Sequence, residues 1–128
     1  MHPSRLLLIP LVVAGACGRG DEQPRAYSDP AQPVQAAAGE TFQVTLQSNQ
    51  STGYQWVLVD SQALGPLRVA GSQYEVPREL RDRDGAGGTE TWSIQALRPG
   101  EGTLSLIYVG PGENEAPRDT TRFRVVVR

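Results

Sequence analysis

From residue 34 onward, apolar residues recur at every second position. Phe42, Val44 and Leu46 alternate with Gln43, Thr45 and Gln47. Neighbouring side chains of a strand point to opposite faces, so this period marks strands with one buried face. Trp92, Ile94 and Ala96 repeat it against Thr91, Ser93 and Gln95. Leu104, Leu106 and Tyr108 do the same, as do Phe123, Val125 and Val127. Tyr54, Trp56 and Leu58 compete with Val57 and Val59, the pattern of a central strand covered on both faces. A looser run, Leu67, Val69, Tyr74 and Val76, is broken by Gly71. No stretch carries apolar residues at helical spacing. The pattern predicts strands at 33–38, 41–47, 53–60, 67–76, 89–97, 103–109 and 120–127. The fold class that follows is all-β: an immunoglobulin-like antiparallel β-sandwich of about seven strands. Trp56 is expected in its core with Phe42, Trp92 and Leu106.

If consecutive strands alternate in direction, the connections 49–53, 81–88 and 110–119 share one pole, and 39–40, 61–66 and 98–102 share the other. The first set is longer and richer in glycine, as expected of a pole kept for binding. The second set reads as plain turns. The same parity places the N-terminal end of the sandwich, near residue 34, at the pole of the long loops.

Upstream, the composition changes. Residues 1–16 read as a targeting segment: Arg5, an apolar run from Leu6 to Val13, then Ala14-Gly15-Ala16 before Cys17. The run is well short of the ~20 residues that cross a bilayer. Cys17 is the only cysteine, so no internal disulfide is available. Its place directly after Ala-Gly-Ala resembles a bacterial lipoprotein signal, which implies acylation of Cys17 and export to the cell envelope. Ala14 stands where that pattern has leucine, and an ordinary secretory peptide leaving a free thiol is the alternative. Residues 17–33, with Pro24, Pro30 and Pro33 among polar residues, are expected to form a disordered tether, leaving 34–128 as the folded domain.

Charge and reactive groups exclude more than they suggest. The net charge is −2, and all 12 basic residues are arginines scattered among acids, so no nucleic-acid face is evident. His2, in the targeting segment, is the only histidine. No nucleophile–base pair and no zinc ligand set can be assembled, so neither an enzyme nor a cofactor or metal is expected. Asp82, Asp84, Glu113, Glu115 and Asp119 lack the spacing of a calcium loop. Gly85-Ala86-Gly87-Gly88-Thr89-Glu90 precedes a strand and has no Lys-Ser/Thr, unlike a phosphate-binding loop.

The stretch Asn49-Gln50-Ser51-Thr52-Gly53-Tyr54-Gln55-Trp56 admits two readings. As a turn, Asn49 accepts hydrogen bonds from backbone amides and Gly53 takes positive φ. As a site, Ser51 and Thr52 are short polar groups at the apex of a narrow ridge.

With the loops in this order, the chain resembles the chagasin family of cysteine protease inhibitors. Asn49-Gln50-Ser51-Thr52-Gly53-Tyr54, with Trp56 after it, is similar to the family's Asn-Pro-Thr-Thr-Gly-Phe/Tyr followed by Trp. Gly85-Ala86-Gly87-Gly88 is similar to its Gly-x-Gly-Gly loop, again with an aromatic, Trp92, in the next strand. The third motif, Tyr-x-Arg-Pro-Trp, keeps only Tyr108 and Pro111 in Tyr108-Val109-Gly110-Pro111-Gly112. The resemblance implies reversible, competitive inhibition of papain-like cysteine proteases by a monomer. The loops 49–54, 85–90 and 110–117 would wedge into the active-site cleft, with Thr52 near the catalytic cysteine. The implied contact residues are Asn49, Gln50, Ser51, Thr52, Gly53, Tyr54, Gly85, Ala86, Gly87, Gly88, Thr89, Tyr108 and Pro111. The incomplete third motif leaves an alternative: an envelope lipoprotein binding module of the same fold that does not inhibit proteases.

Overall fold

The alternating runs fold as two facing four-stranded sheets. The computed structural model describes residues 23–128. The strands are β1 (Ala26–Tyr27), β2 (Val34–Ala36), β3 (Thr41–Ser48), β4 (Gln55–Val59), β5 (Leu67–Glu75), β6 (Gly88–Ala96), β7 (Gly100–Val109) and β8 (Asp119–Val127). One sheet has the order β1-β3-β6-β5 and the other β2-β8-β7-β4. Neighbours pair antiparallel, except that β1 joins β3 and β2 joins β8 in parallel. The seven predicted strands are all present within a few residues of their expected ends. The targeting segment and Cys17 lie outside the described residues.

Burial follows the period of two. Along β6 every second residue, from Gly88 to Ala96, is buried. Phe42, Val44, Ile94, Leu104, Leu106, Phe123 and Val125 are wholly excluded from solvent, and Trp56 and Trp92 join them in one core. Each such side chain contributes about 1.5–3 kcal/mol by leaving water, which holds the sandwich together without a disulfide.

Three expectations are corrected. First, the tether is not wholly unstructured: its described part contains β1, whose Tyr27 packs edge-on against Phe42 with ring centroids 5.9 Å apart. The Asp29 carboxylate accepts the Ala31 amide at 2.9 Å, an Asx turn that reverses the chain from β1 towards β2. One half-buried aromatic and one side-chain turn suffice to order a segment that composition alone marks as loose. Second, this extra strand moves the N-terminal end. β1 runs parallel to β3 and therefore towards the long loops, so residue 25 lies at the opposite pole, beside Glu40 and Arg128. Third, β4 is an edge strand, not a central one. Its outward Val57 and Val59 are half-buried, with Val57 in register with Ile107 of β7, so shelter within the sheet replaces the second covering layer.

Candidate functional site

The pole formed by the β3–β4, β5–β6 and β7–β8 connections gathers the three loops singled out by sequence. Between β3 and β4 the chain makes one 3₁₀ turn, Gln50–Thr52, closed by Gly53 at φ +82°. The Thr52 amide and hydroxyl both donate to the Asn49 carbonyl, at 3.3 and 2.7 Å, and the Gly53 amide donates to Gln50 at 3.0 Å. A residue with a Cβ would be strained at that φ, and its Cβ would lie 3.0 Å from the Pro111 ring. Gly53 therefore serves both the turn and the close approach of the 110–117 loop.

Asn49 accepts the Thr52 backbone amide through its own carbonyl, as the turn reading has it, but its side chain accepts none. Its side-chain amide instead donates to the Gly85 carbonyl at 2.9 Å, and its side-chain oxygen accepts the Ser51 hydroxyl. The first and second loops are thus joined by one side chain. The Asn49 backbone amide donates to the Tyr108 hydroxyl at 2.7 Å, which joins the first loop to β7. Tyr108 stacks between Tyr54 and Trp56, with centroids 5.3 and 5.0 Å away. The Tyr74 hydroxyl of β5 accepts the Gln50 amide at 3.4 Å.

Below the turn, Glu90 of β6 turns inward and is 3% exposed. Its carboxylate accepts the Ser48 hydroxyl at 2.6 Å and the Trp56 backbone amide at 3.0 Å. The Trp56 indole N–H donates to the Gln47 carbonyl at 2.9 Å. These bonds fasten both stems of the loop to the strand that follows the second loop.

The predicted site residues divide into presenters and supports. Gln50, Ser51, Thr52, Gly53, Gly85, Gly87 and Pro111 are exposed. Asn49, Tyr54, Ala86, Thr89 and Tyr108 are half-buried, and the first and last of these hold the ridge rather than face a partner. Gly88 is a buried residue of β6 packed against Glu75, so a partner cannot touch it. Gly110, where the third motif has arginine, leaves room for the Tyr54 ring and the Glu115 carboxylate, which lie over it.

Sequence reasoning missed three participants. Tyr74 and Glu90 sit on period-two strands, and nothing local distinguishes a strand residue that supports a distant turn. Arg118 closes the third loop, and its guanidinium lies 5.2 Å from the Tyr54 ring centroid. The signal available for it is that Tyr54 and Arg118 flank loops at the same pole.

Neither of two surface concavities, of about 390 and 360 Å³, is lined by residues 49–54. The first lies between the sheets near Trp56 and Asp119, and the second at the opposite pole. Among the described residues no group of three or more His, Cys, Asp or Glu could hold a metal ion. The first concavity includes Thr89 of the predicted site, whereas the 49–54 tip stands clear of both and is placed to enter a groove.

Sandwich and ridge together define a protein that presents three rigidly linked loops from a β-scaffold. Residues 35–127 match the model of the chagasin family peptidase inhibitor I42, and the chain belongs to that family. Among solved structures, Amebosin is 25% identical, with a TM-score of 0.65 over 84% of this chain and 100% of its own. The cysteine protease inhibitor EhICP2 from Entamoeba histolytica is 18% identical, with a TM-score of 0.65 over 81% of this chain and 95% of its own. PbICP-C, solved in complex with falcipain-2, is 18% identical, with a TM-score of 0.54 over 83% of this chain and 90% of its own. No curated protein matches the chain.

Proposed function

We propose that this protein is a reversible, competitive inhibitor of papain-like cysteine proteases. The 49–54 ridge enters the active-site cleft, with Thr52 facing the catalytic cysteine, while 85–87 and the Pro111 turn grip the cleft walls. The observation that carries this reading is the joining of the first loop to the second by the Asn49–Gly85 bond and to the third by the close approach of Gly53 to Pro111, with small exposed residues, Ser51-Thr52-Gly53, at the tip. A narrow groove admits such a tip, and a ridge already ordered loses little entropy on docking. Family membership supports the inhibitor class. EhICP2, a cysteine protease inhibitor of the same fold, motivates the choice of target.

In place of the missing arginine and tryptophan at 110 and 112, Arg118 provides a cation beside Tyr54. Its guanidinium has no carboxylate within ion-pair distance among the described residues and is free to meet an acidic or carbonyl-bearing rim. The protein is further proposed to be lipid-anchored in the cell envelope through Cys17. Residue 25 lies at the pole away from the loops, which supports a ridge directed away from the membrane.

Titration of the full chain against papain, with several substrate concentrations, tests the main proposal. The expected result is competitive inhibition that reverses on dilution and leaves the inhibitor uncleaved by mass. Folded protein that leaves papain active at micromolar concentration overturns it and favours a binding module without inhibitory activity. For the anchor, the expected Cys17→Ala protein is free of the membrane fraction and lacks the acyl mass. Retention in that fraction refutes the anchor.

A further inference from the structure

The loop 49–54 leaves β3 after Ser48 and enters β4 just before Trp56. One buried carboxylate, Glu90, takes a hydrogen bond from each of these flanking residues. Ser48 and Glu90 are 42 residues apart in sequence, and Glu90 and Trp56 are 34 apart and belong to opposite sheets. The circuit then closes above: Asn49, next to Ser48, donates to Gly85, which lies upstream of Glu90 on the same chain segment. Both stems of the first loop and the base of the second are therefore fastened at one point.

This position is a costly one for a carboxylate. Glu90 is 3% exposed, and the one ion pair among the described residues, Arg124 with Glu101, lies elsewhere. A buried charge without a counter-ion is unfavourable unless hydrogen bonds satisfy it, and an apolar residue of similar size commonly packs as well or better. The return on the carboxylate is geometric. It has oxygen lone pairs enough to bind two donors from different strands, and charge-assisted bonds are short and strongly oriented. The Trp56 amide lies on an edge strand, and Glu90 turns it towards the opposite sheet.

We infer that Glu90 is a positioning residue that locks the 49–54 ridge and the 85–87 loop in their protease-binding arrangement. This deepens the inhibitor reading and rests on it for its binding consequence, while its effect on the free protein stands apart. Without Glu90 the sandwich persists, because the core residues Phe42, Ile94, Leu106 and Phe123 do not depend on it. The stems of the ridge lose their common anchor, and the tip samples conformations that do not fit a groove. Affinity then falls through faster dissociation.

The test compares the full chain with Glu90→Met and Glu90→Gln. Hydrogen exchange is read at the Thr52 and Gly53 amides, whose own bonds go to Asn49 and Gln50 and not to Glu90. The expected result for Glu90→Met, which removes both hydrogen bonds, is at least about ten-fold faster exchange at those two amides, with core amides such as Val44 and Leu106 unchanged. The dissociation rate from papain rises by a similar factor at an unchanged association rate. Both donors bond the same carboxylate oxygen, so Glu90→Gln, whose amide oxygen can take both without the charge, falls between Glu90→Met and the parent in both readouts. If Glu90→Met does not fold, Glu90→Gln against the parent decides by the same two readouts. Equal acceleration in core and loop, or none in the loop, overturns the inference. So does a loosened loop with an unchanged dissociation rate. A parent chain that fails to inhibit papain refutes the proposed function alone, and the exchange data still judge the role of Glu90 in ordering the ridge.

Discussion

The two poles of the sandwich are held by different means. At the pole of the short turns, backbone meets backbone. Gly39 donates to Ala96 at 2.7 Å, Ala96 to Glu40 at 2.9 Å, Leu97 to Pro66 at 2.9 Å, and Ala38 to Arg128 at 3.0 Å. Gly102 packs directly against the Leu64 carbonyl, leaving no room for a side chain. At the loop pole the bonds between elements use side chains: Asn49 to Gly85, Tyr108 to Asn49, Tyr74 to Gln50, and Glu90 to both Ser48 and Trp56. A pole held largely by backbone bonds depends on few of its side chains, provided that tight contacts such as Gly102 against Leu64 are kept. A side-chain-supported pole leaves its tip free to be shaped for a partner, and it depends on each supporting residue.

That contrast can be broken from either end. The largest effect is expected from Thr52→Trp, which places a bulky ring at the exposed tip. Inhibition of papain should fall by at least ~100-fold, a loss of roughly 2.7 kcal/mol, while the melting temperature stays within about 2 °C of the parent. A matching fall in stability would make the tip structural. Gly102→Ala should do the reverse. Its Cβ meets the Leu64 carbonyl, so denaturant unfolding should show a loss of about 2–3 kcal/mol with an unchanged inhibition constant for the folded fraction. Asn49→Ala removes the bridge to Gly85 and should weaken inhibition about ten-fold, with a smaller cost in stability. The smallest effect is expected from Arg118→Ala. The inhibition constant should rise by roughly two- to five-fold, and its salt dependence should flatten, with no change in melting temperature. An unaltered salt dependence would deny Arg118 a place in the interface.

Much of this architecture was legible in the chain. Phe42, Val44 and Leu46, and their counterparts in the later strands, report which face is buried, because a strand exposes its residues alternately. Strand count and loop lengths then place 49–53, 81–88 and 110–119 at one pole by parity. Other features were hidden for identifiable reasons. β1 is two residues long, too short for any period, and is held by the contact of Tyr27 with Phe42. The apolar run of β4 reads alike whether a layer or a neighbouring strand shelters Val57. Asn49, read as a turn former, closes the turn and serves also as a bridge, which stayed hidden because its partner Gly85 lies 36 residues away in sequence.

By itself, the sequence determined the strands, their inward faces and the clustering of three loops, since each follows from local period and chain direction. Tertiary structure alone decided that the chain enters the sandwich at the pole away from those loops, and that β4 is an edge. It also decided that Glu90, Tyr74 and Tyr108 support the ridge and that Arg118 lies beside Tyr54. These features rest on hydrogen bonds and ring contacts between residues far apart in sequence, and a local pattern carries no record of which distant partner a side chain will meet.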